Sequence, residues 1–339
     1  MAFHSRRSFL MAMAAAPIAC SQIRAKGQYY FVEDRASMQS LARHARQIGL
    51  LCPAWYTFGP HGKLEETIGP VTRETIARNR MKVVPLVANK GFDPAIAHAV
   101  LGDARNREAS VEALSEAAER NGFAGYELDF ENVPMEDRDA YVAMVAALSV
   151  ELRKRNRTLS IAVPAPLLPA PPGSVYRPTA SAPSFDYREL ARHADWISLM
   201  AYDEHTQPGQ PGPIASHPWV EACLMHLLEA VPAKKLKLGI PFYHRRWSAQ
   251  GVAEGSFAEA AMLAQAYGIP LGVQKQEREI SFRFSGDHGD EVVWLHGAQS
   301  LMARLDLASR YRLAGFAAWR LGQEDPDFWT LIGGGKERA

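Results

Sequence analysis

The chain has 339 residues, of which 47% are apolar and 22% charged, the profile of a globular protein long enough for one large α/β barrel or two smaller domains. A formal net charge of +1 excludes recognition of nucleic acid or of an anionic membrane surface through bulk electrostatics. The N-terminus reads as an address. Ser5-Arg6-Arg7-Ser8-Phe9-Leu10 is a twin-arginine pattern, and the apolar run from Phe9 to Ala19 has the length of a signal h-region and is too short to span a bilayer. Residues 1–25 are therefore expected to be a Tat-type signal that exports a folded protein to the periplasm or beyond. Ile18-Ala19-Cys20 partly resembles a lipobox, so cleavage after Ala25 and lipidation at Cys20 both stay open. No other segment has the apolar length of a membrane span, so the mature chain is expected to carry no integral membrane segment.

Past the signal, β-type runs alternate with helix-type stretches. Gln28–Val32 is a candidate first strand, and Ser37–Ile48 a helix with Met38, Leu41, Ala42 and Ala45 on one face. Strands follow at Leu50–Thr57 and Lys82–Ala88, then a helix over Ser110–Asn121 that ends at Gly122, a good C-cap. Next come the strand Ala124–Glu131, a helix over Arg138–Arg155 and the strand Thr158–Pro164. Trp196–Tyr202, Lys235–Tyr243 and Gly315–Trp319 complete eight strands, the pattern of a (β/α)8 TIM barrel over residues 28–330. Residues 164–184, rich in Pro, Ala and Ser, read as a long loop at the functional face. Residues 244–296 hold two strand-like runs, Glu279–Phe284 and Glu291–Leu295, around a Gly-Asp-His-Gly turn, and predict a small α+β insertion between the seventh and eighth strands. Residues 333–339 are expected to be a disordered tail. Cys52 and Cys223 fall in barrel elements, so each is expected as a buried free thiol; whether they pair cannot be read from the sequence.

The chemistry concentrates in Tyr126-Glu127-Leu128-Asp129-Phe130-Glu131. Residues two apart on a strand share a face, so Glu127, Asp129 and Glu131 point into the barrel while Tyr126, Leu128 and Phe130 pack outward. A row of like charges raises the pKa of at least one member, which is what a general acid needs. Glu131, last in the row and nearest the open C-terminal rim, is the natural proton donor. On ligand types alone, Asp129, Glu131 and Asp203 would also suit a divalent cation, so a metal-dependent enzyme is carried as a rival.

The same segment resembles the D-G-x-D-x-D-x-E signature of glycoside hydrolase family 18, the chitinases and related N-acetylglucosaminidases. The glycine, the last Asp and the Glu match, at Gly125, Asp129 and Glu131; Ala124 and Glu127 replace the first two Asp. Met200-Ala201-Tyr202-Asp203, Gly239-Ile240-Pro241-Phe242-Tyr243 and Gly315-Phe316-Ala317-Ala318-Trp319 are similar to the family's motifs on strands six, seven and eight, in the right order. Asp203-Glu204-His205 and Gly212-Pro213-Ile214-Ala215 resemble the branch of spore-cortex and cell-wall lytic enzymes. The resemblance implies an exported hydrolase of a glycan containing β-linked N-acetylglucosamine (chitin, peptidoglycan or N-glycan), with a tilt toward a bacterial envelope glycan and no cofactor or metal. It implies that the substrate's own acetamide attacks the anomeric carbon. Glu131 is then the acid and base, Asp129 the acceptor for the acetamide N–H and Tyr202 the donor to its oxygen. Glu127, Asp203, Trp319, Tyr243, His205 and Trp55 are carried as substrate-binding candidates, Trp319 as the apolar floor under the sugar. Because the first two Asp are lost, a carbohydrate-binding protein of weak or no activity is kept as the alternative.

Overall fold

A computed structural model describes residues 27–166, 168, 182–287 and 289–333. The predicted signal, most of the long loop over 164–184 and the tail beyond 333 lie outside the described residues. The barrel is built from β1 (Gly27–Phe31), β2 (Leu50–Pro53), β3 (Tyr56–Phe58), β4 (Leu64–Glu66), β5 (Leu86–Asn89), β6 (Gly125–Asp129), β7 (Thr158–Pro164), β8 (Trp196–Met200) and β9 (Leu236–Pro241). Four strands of the insertion follow, β10 (Tyr243–Ser248), β11 (Gly251–Ser256), β12 (Ile280–Gly286) and β13 (Gly289–Leu295), and β14 (Gly315–Trp319) ends the barrel. The pairing order is β2-β1-β14-β9-β8-β7-β6-β5-β3, with β4 antiparallel on the edge of β3. Its two ends are one stretch of chain: β2 and β3 are separated only by Ala54 and Trp55, and Leu51 of β2 bridges in parallel to Val83. The ring therefore closes, giving the (β/α)8 barrel.

Two expected strands are interrupted within their apolar runs. Leu50–Thr57 breaks after Pro53, where the Trp55 N–H turns back to the Pro53 carbonyl at 2.9 Å. Lys82–Ala88 becomes β5 plus the bridge at Val83, because Pro85 has no N–H for the ladder between them. The helix expected from Ser110 starts at Ala104, capped by Asp103, whose carboxylate accepts the Arg105 N–H at 2.7 Å. It ends at Gly122 as expected, in the left-handed conformation at φ +68°. The helices Pro94–Leu101, His217–Leu228 and Ala298–Arg310 lie outside the expected helices.

The inward–outward alternation of β6 holds. Tyr126 meets Tyr56 edge-on at 5.7 Å, and Phe130 lies 5.6 Å from Tyr141 of the helix Arg138–Lys154. All four rings have under 2% exposure, and losing one such buried ring costs roughly 3–5 kcal/mol. The insertion is an antiparallel sheet in the order β11-β10-β13-β12, and its hairpin closes with Gly286 opposite Gly289. The helix Phe257–Ala266 covers it through Ala260 and Ala264 over Phe282 and Val293, held at its start by a Ser256–Glu259 capping box. Cys52 and Cys223 are both buried and free.

Candidate active site

A cavity of about 220 Å³ opens at the C-terminal ends of the barrel strands, where this architecture carries its chemistry. It gathers Asp129, Glu131, Tyr202, Asp203, Tyr243 and Trp319 from four strands and adds Tyr30, Phe92 and Glu254. Glu131 follows β6 directly, and Asn89 at the end of β5 fixes its backbone: the Asn89 carboxamide accepts the Glu131 N–H at 3.0 Å and donates to the Glu131 carbonyl at 3.0 Å. No hydrogen bond among the described residues ends on the Glu131 carboxyl. Burial, and then the charge of Asp203, push that carboxyl up to about 7, so it keeps its proton to near neutral pH. Asp129, 6% exposed, is pushed well above the usual carboxylate range by burial, then by Glu131 and Glu127. Its Oδ1 is buried with no partner. Two neighbouring carboxyls in this setting do not readily both ionise.

Beneath the pair lies a polar layer that fills the barrel. Glu127 accepts from Tyr30 Oη at 2.6 Å, from Ser160 Oγ at 2.8 Å and from the Gln28 amide. Gln28 Oε1 in turn accepts from Lys237 Nζ at 2.8 Å and from Trp196 Nε1 at 3.0 Å, and the Lys237 ammonium sits 3.9 Å over the Trp196 ring. Glu127, expected among the substrate-binding candidates, is 0% exposed and does not line the cavity. The segment itself carries no Lys or Arg; Lys237 brings an ammonium to this layer from β9.

The wall on the β8 side is a charged lattice. Asp203, in the left-handed region at φ +66°, accepts at Oδ1 from Tyr243 Oη and from Arg245 at 2.5 and 3.1 Å. Arg245 also lies 3.8 Å from Glu254, which reaches the cavity from β11 of the insertion and accepts from Gln323 at 3.2 Å. Tyr202 stands over β9 because residue 239 is glycine: a Cβ there would come within 2.3 Å of the Leu199 carbonyl and 2.9 Å of the Tyr202 ring. Burial and then Asp129 push the Tyr202 phenol well up, so it stays a donor. Trp319, at the end of β14 beside Tyr30 at 5.4 Å, forms part of the floor. Among the described residues no group of three His, Cys, Asp or Glu side chains is placed to hold a metal ion.

Two further expectations miss the cavity. Trp55 is 2% exposed, donates to Glu33 at 2.8 Å and faces Phe123 on the other side of β3, so it is a core ring. His205 lies in the loop after β8 with Nδ1 3.0 Å from the Pro213 carbonyl, away from the cleft. That loop is anchored from below. Glu279 of the insertion accepts the Ile214 and Ala215 N–H groups at 2.9 and 2.7 Å, with Arg304 at 3.8 Å and His296 at 3.7 Å. Glu204 accepts the Ser216 N–H at 2.6 Å. Asn89, Arg245, Glu254 and Lys237 are the site residues that motif reading passed over. The first sits one residue past a predicted strand end, and Lys237 is one of two lysines on the predicted strand Lys235–Tyr243.

Over residues 31–324 the sequence matches the family described as Glycosyl hydrolases family 18. It is 26% identical over 318 residues to the protein called Uncharacterized glycosylase YvbX of Bacillus subtilis (strain 168), with 89% of each chain covered. It is 24% identical over 260 residues to the Cortical fragment-lytic enzyme of Bacillus anthracis, covering 74% of this chain and 59% of that one. A crystal structure of a chitinase from Chromobacterium violaceum superposes with a TM-score of 0.81 at 25% identity, covering 92% of this chain and 99% of that one.

Proposed function

The chain belongs to glycosyl hydrolases family 18 and is a glycoside hydrolase, and from that premise we propose that it is exported and cleaves glycans at a β-linked N-acetylglucosamine by substrate-assisted, retaining catalysis. The observation that carries this reading is the orphaned Oδ1 of Asp129, a buried acceptor beside a protonated Glu131 in a cavity capped by the Tyr202 phenol. An acetamide fits that triad. Its N–H satisfies Asp129 Oδ1, and its oxygen, held by Tyr202 Oη, attacks the anomeric carbon as Glu131 gives its proton to the departing glycosidic oxygen. The C–O bond to the leaving sugar breaks, the acetamide oxygen–carbon bond forms, and Asp129 balances the positive oxazolinium. Water then attacks the anomeric carbon, the acetamide oxygen–carbon bond breaks, and Glu131 takes a proton from the water. Trp319 supplies the apolar face below the ring.

The other carboxylates of the cavity are poor nucleophile candidates. Asp203 is engaged by Tyr243 and by both Arg245 contacts, and Glu254 is shared between Gln323 and Arg245. Digests of chitin oligomers and purified peptidoglycan, read by mass spectrometry, test the reading and select between these substrates; no cleavage of either would overturn it. Export rests on the Arg6-Arg7 pair. Replacing both with Lys should retain the precursor in the cytoplasm on fractionation, and unchanged export would remove the Tat assignment.

A further inference from the structure

With no hydrogen bond on its carboxyl among the described residues, Glu131 is aimed from its backbone, and that backbone is held by a side chain. The parallel ladder between β5 and β6 ends at the pair Ala88 and Asp129. Just beyond it the Asn89 carboxamide takes the place of a further peptide group. Its Oδ1 accepts the Glu131 N–H and its Nδ2 donates to the Glu131 carbonyl, both at 3.0 Å. The other N–H of Nδ2 reaches the Asp93 carbonyl at 3.0 Å. A flipped amide would set its NH2 against an N–H and its oxygen against two carbonyls, so only one orientation satisfies these partners. Asn89 is 1% exposed, and water cannot stand in for it. A second asparagine returns the contact. Asn132, next to the acid, is left-handed at φ +52°, and its Nδ2 donates to the Phe92 carbonyl at 3.0 Å. Phe92 lines the cavity and is itself left-handed at φ +53°, a conformation that an aromatic residue keeps only where its surroundings impose it.

We infer that Asn89 and Asn132 are positioning residues that lock residues 89–93 and 131–132 into one body, and so fix the Glu131 carboxyl where it meets the glycosidic oxygen. The inference rests on Glu131 being the acid. Every hydrogen bond of the lock ends on a backbone atom, so it sets geometry and adds no charge to the acid row. Asn89 holds the acid's own peptide groups. Asn132 ties the next residue to the cavity wall, so that neither segment shifts without the other.

A misplaced acid harms most the substrates whose leaving group needs its proton, and least an aryl glycoside whose phenol departs as a stable anion. Asn89→Ala should therefore lower kcat/KM about tenfold or more on a chitin oligomer, yet less than about threefold on the dinitrophenyl glycoside of the same sugar. Asn132→Gly keeps the left-handed backbone without strain and removes only the donor, so its losses should be smaller and unequal in the same sense. Because the two asparagines serve one lock, the double variant should lose less than the product of the two single losses. Equal losses on the two substrates would overturn the inference and leave Asn89 a support of the fold; single losses that simply multiply would overturn it as well. Should Asn89→Ala not fold, Asn132→Gly carries the same substrate comparison, since its side chain is exposed. Glu131→Gln separates the two failures. An equal loss on both substrates in that variant would remove Glu131 as the acid. An unequal loss there, beside equal losses in the asparagine variants, would remove the lock alone.

Discussion

Glu279 and Asp129 are both removed from water, Glu279 completely and Asp129 to 6% exposure, yet the protein treats them in opposite ways. Glu279 receives two backbone N–H groups and faces Arg304 and His296, and with that support it ties the loop bearing Asp203 to the insertion. Asp129 receives nothing at Oδ1 and has two further carboxyls on its own face. Burial raises the pKa of both, Glu279 to about 8 despite the opposing pull of Arg304, and Asp129 in the same direction with Glu131 and Glu127 adding to it. A satisfied buried acid organises the chain around it. An unsatisfied one is tolerable only where a ligand completes it, and the cavity above Asp129 is where that ligand enters.

The contrast is broken most strongly at Glu279. Glu279→Ala strands the buried Ile214 and Ala215 N–H groups, and should cost about 1–3 kcal/mol for each in denaturant unfolding. Glu131→Gln should lower kcat by at least ~100-fold on an unactivated oligomer with no loss of stability, since it takes a charge out of a crowded row. Asp129→Asn should leave folding unharmed or improved, where Glu279→Ala damages it, while lowering kcat roughly tenfold or more because an amide cannot balance the oxazolinium charge. Equal destabilisation by the two variants would erase the distinction between the regions.

The smallest effects are those of pH. Glu131 acts as an acid only while protonated, so kcat/KM should fall as pH rises through about 7. Its raised pKa has a matching consequence for stability. Between the unfolded value near 4.5 and about 7 the folded state binds the extra proton, so the wild type loses stability as pH rises through that window. Glu131→Gln lacks this loss. Its melting temperature relative to wild type should therefore be higher above neutrality than in mild acid; a difference independent of pH would mean that Glu131 carries no raised pKa.

Much of the barrel was legible because strand alternation and motif order agree. Thr158–Pro164 and Gly315–Trp319 have the predicted bounds, and the acid row faces inward as the period of two requires. What escaped depended on contacts between distant segments. Trp55 and Tyr243 both sit beside strand ends, and nothing local says that one turns toward Phe123 and the other toward Asp203. Glu127 belongs to the right face but lies one pleat below the cavity lining, a matter of height in the barrel that spacing alone leaves unmeasured. The Asn89 clamp on Glu131 joins residues 42 apart, and the Lys237–Gln28 contact joins residues 209 apart. Within the insertion β10 and β11 were missed because Arg245, Arg246 and Glu254 interrupt the apolar pattern. Of those charges Glu254 lines the cavity and Arg245 holds Asp203 beside it, while Arg246 pairs with Glu291.

The central claim, that the substrate's acetamide replaces a protein nucleophile beside Asp129 and Glu131, is tested most directly by proton NMR of the first product released from a chitin oligomer. The account predicts a new reducing end that appears first as the β-anomer, with retained configuration, and only later mutarotates. An α-anomer appearing first would contradict it, because inversion requires water to attack directly from the face opposite the leaving group.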